Sequence, residues 1–447
     1  MLTAAGLVVI VALALGAFSL ARSETGTDHA ATATPIAARS SARSATTSTT
    51  ATTTAATPTY APTPTVATGG RNYRYIWTGT PGRRFTDQEF RSLTRHDALI
   101  IIAKAYGNSF ADDDAAARRL VSLDPDATVL VNFLAGALPP VLADRWGPAF
   151  NDAWLLRDAN GNPIGDCSGG ECQYRVDVAD PGYRRFLVAQ VQERMRAAPY
   201  AGVMYDNLHY YDQRQYPDLS TEQIQRLNAG FRALLRETRD ALGPDRVVFF
   251  NGVSRNIGHV IVADRGFDLL TTATGAQDET FCYLDNQNRF HGGRAMIEDD
   301  RRYHRLAAHG STILESVHLE SAAAHADAAH IERYCFAHYL MTFVPGMTFV
   351  QFKAFSDQDE GPQIASNNTA EEGLALGAPA GSFDRHGTVL RRRFEHGWVF
   401  VNTGTSSADI TLPARLVLWN GGTRGGSFVR GESYALPAQD AAYFLSA

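Results

Sequence analysis

Two carboxylic acids follow apolar, strand-like segments of the sequence. Asp206 ends the run that starts at Gly202, and Glu279 ends a run that starts at Leu269. Two carboxyl groups on either side of a sugar are the minimum for hydrolysing a glycosidic bond, since one protonates the leaving oxygen while the other attacks or activates water. We therefore predict that Asp206 is the nucleophile or base and that Glu279 is the general acid.

The general-acid role has two other candidates. Phe281 and Tyr283 flank Glu279, and an apolar setting raises the pKa of a carboxyl group and keeps its proton available for donation. Asp278 precedes Glu279 directly, and Glu315 ends a later apolar run. Glu315 is the main rival for the acid role, with binding of substrate hydroxyls as its alternative role.

Polar and aromatic side chains at or just beyond the strand ends are predicted to bind the substrate. An aromatic ring stacks on a sugar face, while amides and other polar groups hydrogen-bond to sugar hydroxyls. Each of these residues has an alternative interpretation, in which it satisfies local backbone or covers the end of the sheet. The predicted set is Trp77, Lys104, Asn132, Asn207, His209, Tyr210, Asn251, Glu315, Gln351 and Lys353.

Lysine is rare in this chain. Only Lys104 and Lys353 occur among 41 basic residues. Both end apolar runs. A compact ammonium at such a position either donates to a substrate hydroxyl or to a carboxylate such as Glu315, or extends past the rim into solvent.

Eight strand-like runs alternate with helix-length amphipathic stretches. Near-continuous apolar runs between helices are typical of a parallel sheet that is buried on both faces. Eight such units predict an α/β fold, the (β/α)8 TIM barrel, whose active site lies at the C-terminal ends of its strands. The strand-like runs are residues 75–77, 99–104, 129–132, 202–207, 247–251, 269–279, 312–315 and 347–353, and the helical stretches are 87–95, 115–123, 181–198, 220–242, 299–308 and 322–339.

The sequence changes character after the last of these runs. Short alternating segments broken by glycine and asparagine predict a small C-terminal antiparallel β-domain. They are residues 389–394, 398–402, 408–412 and 441–445. Carbohydrate binding through Trp398 or Trp419 is an alternative role for this domain.

The N-terminal part predicts export. Residues 4–21 are apolar apart from Ser19, which fits either a cleaved signal peptide or a retained membrane anchor. Residues 23–70 are rich in Ala, Thr, Ser and Pro, a composition that cannot bury enough apolar surface to fold. We therefore divide the chain into a signal or anchor (1–22), a linker (23–70), a barrel (71–378) and a β-sandwich-like domain (379–447), and we expect it to be extracellular or periplasmic.

Four cysteines lie beyond the linker. Cys167 and Cys172 bracket a short glycine-rich loop, so a local disulfide is predicted in an exported protein, with Cys282 and Cys335 as the remaining pair. The sequence alone leaves all three full pairings open. A zinc site is not expected, because no Cys-x-x-Cys or matched histidine spacing is present.

Charge and composition exclude other classes of partner. The net charge is −6 and no Lys/Arg cluster forms a basic stripe, so nucleic acid is not expected to bind. We expect a carbohydrate substrate, a monomer, and neither a metal nor a cofactor. Two alternatives stay open: a barrel that binds carbohydrate without cleaving it, and a metal-dependent deacetylase or amidase, although His209, Asp212 and His259 do not form a known ligand set.

Several motifs of the barrel resemble one family. The segments Gly-Val-Met-Tyr-Asp-Asn at 202–207, Arg-Val-Asp-Val-Ala-Asp-Pro-Gly-Tyr at 175–183, Asn-Gly at 251–252 and Gly-x-x-x-Glu-Thr-Phe at 275–281 are similar to hypothetical glycosyl hydrolase family 15. That group is related to the endo-α-1,4-polygalactosaminidase and α-galactosidase barrels, and the resemblance covers residues 73–355. It implies a glycosidase in which Asp206 matches the strand-four catalytic aspartate and Glu279 the second carboxylate, without naming a sugar.

Overall fold

In the computed structural model, eight parallel strands form one curved sheet. Their order in space follows their order in the chain, and each strand is parallel to its neighbours. The first and last strands approach to within 8 Å between Cα atoms, which closes the predicted (β/α)8 barrel. The strands are β1 (Tyr75–Thr78), β2 (Leu99–Ile102), β3 (Thr128–Leu134), β4 (Gly202–Asp206), β5 (Val247–Asn251), β6 (Gly275–Asp278), β7 (Thr312–His318) and β8 (Thr348–Lys353).

The structure describes twelve stretches of the chain, which are residues 75–78, 84–96, 99–102, 109–138, 150–158, 160–166, 172–257, 260–261, 265–319, 321–353, 374–420 and 423–447. The predicted leader (1–22) and linker (23–70) lie outside these residues, as do Lys104, Cys167 and His259. Within the described stretches, no helix is both long and apolar enough to cross a membrane.

In β2 to β8, nearly all of the described side chains are buried on both faces of the strand. Successive side chains of a strand alternate between the barrel lumen and the surrounding helices. The lumen holds one apolar cluster, and sequence neighbours such as Ile100, Val203 and Val248 belong to a second cluster under the helices. The lumen cluster comprises Leu99, Ile101, Leu130, Met204, Val247, Phe249, Leu314 and Phe349. Residues of the lumen cluster therefore face the lumen, and residues of the second cluster face the helices.

Helices follow most of the strands, as predicted. Asp180 caps α3 with Pro181 in its first turn, and Ser220 forms a capping box with Gln223 at the start of α4, so local signals set both starts. The helices are α1 (Asp87–His96), α2 (Phe110–Leu123), α3 (Pro181–Ala197), α4 (Thr221–Leu242), α5 (Gly293–Ala308), α6 (Ala322–Ala326) and α7 (Ala328–Thr342). The predicted last helix is divided in two at Asp327.

The sixth predicted run is only partly a strand. The apolar residues Leu269 and Leu270 lie in a short 3₁₀ helix, Phe267–Thr271, and β6 begins at Gly275. Both leucines are buried, and a short buried apolar run has the same composition whether it is helical or extended. The prediction of a strand from residue 269 was therefore wrong in its first half.

Short antiparallel strands pair with one another in the loops that follow the barrel strands. Ala137–Leu138, Gly165–Asp166 and Gln173–Arg175 form a three-stranded sheet between β3 and α3. Two-residue pairs join Asn256–Ile257 to Val260–Ile261 and Tyr283–Leu284 to Arg289–Phe290.

The C-terminal residues form the predicted antiparallel β-domain. One sheet has six strands in the order β9-β10-β11-β16-β13-β14, and a second pairs β12 with β15. The four predicted runs correspond to β10, β11, β12 and β16, while the prediction missed the other four strands, including the apolar β13. The strands are β9 (Asp384–His386), β10 (Val389–Phe394), β11 (Gly397–Asn402), β12 (Ala408–Thr411), β13 (Leu416–Asn420), β14 (Thr423–Phe428), β15 (Ser433–Leu436) and β16 (Asp440–Ser446).

Both tryptophans of this domain are partly buried. Trp398 stacks on Phe400 with 6.2 Å between ring centroids, and the indole nitrogen of Trp419 is buried. Among the described residues, the one large apolar side chain classed as exposed is Val429, at 61%. Carbohydrate binding through Trp398 or Trp419 therefore stays an alternative role for this domain.

The β-domain is joined to α7 by polar contacts. Asp440 accepts two hydrogen bonds from the Arg333 guanidinium, at 2.8 and 3.1 Å. Arg392 is 2% exposed and donates to the carbonyl oxygens of Leu340, Met341 and Phe343 at 2.8, 3.0 and 2.9 Å. These carbonyls belong to the end of α7, where the helix supplies no donors of its own.

The disulfides follow the predicted division as far as they are described. Cys282 is bonded to Cys335, with 5.6 Å between their Cα atoms. Cys172 is also disulfide-bonded. Because Cys167 lies outside the described residues, its pairing with Cys172 stays a prediction.

We expect Arg392→Met to lower the free energy of unfolding by about 2–4 kcal/mol, because a buried acceptor left unpaired costs roughly 1–3 kcal/mol. Burial lowers the pKa of Arg392 to about 10, so the guanidinium is charged at neutral pH. The neighbouring Arg391→Met is the matched control, since its partner Asp384 is 55% exposed and such pairs contribute about 0–1 kcal/mol. Urea denaturation of the two variants provides the measurement, and equal losses would contradict the expectation.

Candidate active site

Asp206 is the last residue of β4 and faces the lumen, because it is two positions beyond Met204 of the lumen cluster. Its side chain is only 6% exposed. The backbone N–H of Asn207 donates to its Oδ1 at 2.8 Å. Asn207 has a φ of 53°, a left-handed conformation that asparagine tolerates better than most residues. The chain therefore turns back onto the carboxylate directly after the strand.

Glu279 follows β6 and extends into the same mouth. Its backbone N–H donates to the hydroxyl of Ser254 at 2.8 Å, and this bond ties the β6 end to the loop after β5. The side chain is 39% exposed, and its Oε1 lies 3.8 Å from Nε2 of His318 at the end of β7. Glu279 is thus held at its backbone while its carboxyl group remains open to solvent.

Asn251 connects the two carboxylates. The Nδ2 of this last residue of β5 donates to Oδ1 of Asp206 at 3.1 Å and to Oε2 of Glu279 at 2.7 Å. Because both distances end on one nitrogen, these two carboxyl oxygens can be no more than about 5.8 Å apart. The structure therefore brings together the two acids that the sequence placed at the ends of strands four and six.

A glycine lets these strand ends approach. A Cβ on Gly252 would lie 2.1 Å from the carbonyl oxygen of Leu208. The N–H of Leu208 donates to the carbonyl oxygen of Asn251 at 3.2 Å. Only glycine therefore allows the loop after Asp206 to lie against the end of β5.

His209 is a neutral neighbour of this pair. The side chain is buried, and burial lowers the pKa of His209 to about 3, with Arg175 lowering it further and Glu279 opposing the shift. The imidazole is therefore uncharged above acidic pH. The other predicted neighbour, Asn207, places its amide Nδ2 3.4 Å from Oε1 of Gln173.

Three more predicted binding residues face the lumen. Leu130 and Phe349 belong to the lumen cluster, and side chains two or four positions further along a strand point to the same side. Asn132 is two positions beyond Leu130, and Gln351 and Lys353 are two and four positions beyond Phe349. Asn132 is 6% and Gln351 1% exposed. Lys353 is half-buried at the end of β8. These side chains line the barrel beneath and beside the two acids.

Sequence reasoning missed three other lumen residues. Gln277 lies two positions before Glu279, and Ser316 and His318 lie two and four positions beyond Leu314 of the lumen cluster. Gln277 is inside β6, and β7 continues to His318 instead of ending at residue 315. Counting in steps of two from each apolar lumen residue was the signal that could have found them.

Glu315 lies on the other side of its strand. It neighbours Leu314 of the lumen cluster and therefore points toward the helices, where it is fully buried and accepts a hydrogen bond from the Thr342 hydroxyl at 2.7 Å. Burial raises the pKa of Glu315 well above its usual value, with the Thr342 bond opposing the shift. The structure therefore does not bring Glu315 into the mouth, either as an acid or as a substrate ligand.

Asp278 is also directed away from the mouth. It is 2% exposed, and its Oδ2 accepts from Arg265 at 3.1 Å and from the Tyr303 hydroxyl at 2.5 Å. Arg265 also donates to the carbonyl oxygen of Val253 and to Asp299, both at 2.5 Å. This buried network holds the end of β6 from behind, so Asp278 anchors the strand that carries Glu279.

Two aromatic residues, Tyr210 and Trp77, were predicted to contact the sugar. The hydroxyl of Tyr210 donates to Asp268 at 2.8 Å, and Arg232 lies over the Tyr210 ring at 4.8 Å, so its buried side chain is engaged with structural partners. Trp77 belongs to β1 and pairs with Ile101, but its side chain is outside the described part of the structure. Over the described residues, no group of three or more His, Cys, Asp or Glu side chains is arranged to hold a metal ion.

Comparison with known proteins supplies a family and a fold. A family model for hypothetical glycosyl hydrolase family 15 matches residues 143–398, more than half of the 447-residue chain. No curated protein gives a significant sequence match. An isomaltulose synthase variant from Erwinia rhapontici NX5 in complex with D-glucose is 12% identical with a TM-score of 0.50, over 84% of this chain and 98% of that chain.

Two further solved structures have similar coverage. A β-L-arabinopyranosidase from Geobacillus stearothermophilus is 12% identical over 87% of this chain and 97% of that chain, with a TM-score of 0.49. An isomalto-dextranase from Arthrobacter globiformis T6, complexed with panose, is 13% identical over 88% of this chain and 75% of that chain, with a TM-score of 0.48. At such identities the likeness concerns the fold alone.

The buried Glu315 predicts a pH dependence of stability. Its raised pKa means that, above the usual pKa of glutamate, unfolding releases its proton, so the wild type loses stability as pH rises, by up to about 1.4 kcal/mol per pH unit. We expect Glu315→Gln to remove this loss, so that its advantage in free energy of unfolding over the wild type grows as pH increases above about 4.5.

Urea denaturation at several pH values measures this difference. The control is Glu298→Gln, which changes a carboxyl group that is 58% exposed. An advantage of Glu315→Gln that stays constant with pH would show that Glu315 is ionised in the folded protein.

Proposed function

The chain belongs to hypothetical glycosyl hydrolase family 15, and we propose that it is an exported glycoside hydrolase that cleaves a poly- or oligosaccharide with retention of anomeric configuration. The observation that carries this proposal is the Asn251 amide, which donates to both Asp206 and Glu279. It supports a pair of acids that act on one glycosidic bond.

The separation of the acids supports retention. Retaining glycosidases hold their carboxyl groups about 5–5.5 Å apart, whereas inverting enzymes need about 6.5–9.5 Å to admit a water molecule. The limit of about 5.8 Å set by the shared Asn251 nitrogen is shorter than the inverting range. Asp206 would then attack the sugar directly.

The environments of the two acids suit different roles. Asp206 is 6% exposed and accepts hydrogen bonds from the Asn207 N–H and the Asn251 amide, which hold its carboxyl group in place at the end of β4. Glu279 is 39% exposed and so is accessible to a leaving group and to water. These differences support Asp206 as the nucleophile and Glu279 as the acid and base.

The proposed reaction has two steps. In the first, Asp206 forms a bond to the anomeric carbon while Glu279 donates its proton to the departing glycosidic oxygen. In the second, Glu279 removes a proton from water, the resulting oxygen attacks the same carbon, and the bond to Asp206 breaks. Two inversions at one carbon leave the configuration unchanged.

Export is supported by separate features. Residues 4–21 form an apolar run before an Ala/Thr/Ser/Pro linker, and the Cys282–Cys335 disulfide is typical of oxidising compartments. We propose an extracellular or periplasmic monomer that is either released or tethered through residues 4–21.

We expect Asp206→Asn to remove nearly all release of reducing ends from a polysaccharide substrate while leaving sugar binding largely intact. Glu279→Gln should lower turnover of natural linkages by about 10²–10⁴-fold but affect activated aryl glycosides much less, because these need no proton on the leaving group. Glu315→Gln is the control and should remain active. Full activity of Asp206→Asn would reject the assignment, and a binding barrel without catalysis would release no reducing ends in any form.

Proton NMR of the first product tests the stereochemical part. Because one pair of carboxyl oxygens is limited to about 5.8 Å, which is shorter than the inverting range, we expect the anomeric proton that appears first to have the configuration of the substrate. The opposite anomer appearing first would show that Asp206 acts as a base on water instead. Spontaneous mutarotation of the isolated product in buffer provides the control for the time scale.

A further inference from the structure

Several buried polar atoms in the barrel lumen have no hydrogen-bond partner. Among the described residues, they include both amide atoms of Asn132, Oε1 of Gln277 and the hydroxyl of Ser316. These side chains are 6%, 1% and 1% exposed, respectively. Since nine in ten or more buried polar groups in native proteins are paired, this cluster indicates a place where polar atoms from outside the chain bind.

The position of the cluster relative to the catalytic pair follows from the strand order. Asn132, Asn251 and Ser316 belong to β3, β5 and β7, and alternate strands contribute the side chains of one barrel layer. Gln277 is level with Asn251 in the β5–β6 register, two residues before Glu279. The orphaned atoms thus lie directly beneath the two acids.

Toward the other end of the lumen, most of the described side chains are apolar. Leu130 and Leu314 lie two positions before Asn132 and Ser316 and belong to the lumen cluster, together with Met204, Phe249 and Phe349. A ligand of these polar atoms must therefore enter from the mouth, past Asp206 and Glu279.

We infer that Asn132, Gln277 and Ser316 form the floor of the subsite for the sugar ring whose bond is cleaved, and that this ring is neutral. The inference rests on the proposed glycosidase function. Amides and a hydroxyl both donate and accept hydrogen bonds, which matches the hydroxyl groups of a sugar ring.

The charges around the floor disfavour an acidic sugar. None of the three floor residues is charged, and the described lumen residues above them include the carboxylates Asp206 and Glu279. Among the described residues, Lys353 at the end of β8 also faces the lumen, and His318 lies 3.8 Å from Glu279. A uronic acid in this subsite would place a third carboxylate beside two others.

The experiment measures sugar binding without turnover. Asn132→Leu and Ser316→Ala are made in the full chain carrying Asp206→Asn, and melting temperature is followed against concentration of D-glucose, D-galactose, D-mannose, L-arabinose, N-acetyl-D-galactosamine, D-glucuronate and D-galacturonate. The matched control is Thr312→Val, which also removes a buried, unpaired hydroxyl from the lumen side of β7, but at its opposite end.

We expect at least one neutral sugar to stabilise the parent chain, and both floor variants to weaken that binding about tenfold or more, a loss of roughly 1.4 kcal/mol. Thr312→Val should bind like the parent. Without sugar, the floor variants should melt at the same temperature or higher, because each loses an unpaired buried polar group. If the floor residues had only a structural role, a variant that is as stable as the parent would bind sugar equally well. Weaker sugar binding by a stable variant therefore indicates contact with the sugar.

Three results would overturn the inference. The floor variants could bind sugar like the parent, which would mean that only water fills the floor. The other two are that no neutral sugar stabilises the parent, or that the uronates bind more tightly than the neutral sugars. Hydrolysis by the wild type is assayed separately. If the wild type cleaves glycosides but the floor variants bind sugar as well as the parent does, the subsite inference fails and the proposed function stands. If binding depends on the floor but no glycoside is cleaved, the proposed function fails alone.

Discussion

Burial of strands β2 to β8 on both faces is the constraint on which the rest of the structure depends. Each residue of such a strand must face either the lumen or the helices, and neighbours in sequence face opposite sides. Asp278 and Glu279 illustrate the result, since one binds Arg265 behind the sheet while the other reaches Asn251 in the mouth. Two adjacent acids thereby acquire different tasks, one holding the strand and the other available for chemistry.

Much of the architecture was accessible from the sequence. Near-continuous apolar runs identified all eight barrel strands, and amphipathic stretches between them located helices such as the one that begins after Ser220. The same runs indicated that Asp206, Asn251 and Glu279 lie at strand ends, where neighbouring parallel strands bring side chains together. What the pattern could not supply was the single amide that joins the two acids, because that contact depends on the register between strands.

The error at Glu315 has a simple physical origin. The side of a strand that a residue occupies depends on where the strand begins and ends, and a shift of one residue exchanges the two faces. β7 was expected to end at Glu315 but continues to His318, so Glu315 faces Thr342 while Ser316 faces the lumen. Tyr210 shows a different limit, because its engagement with Asp268 and Arg232 joins residues far apart in the chain.

The contact of Arg392 with α7 makes the barrel depend on the β-domain. The helix that precedes the last barrel strand receives the donors for its final carbonyls from the β-domain. The barrel and the β-domain thus share contacts that stabilise both. A barrel of this design could exchange its β-domain in evolution only for another that presents a cation at the same point, or after acquiring a glycine or similar terminator at the end of that helix.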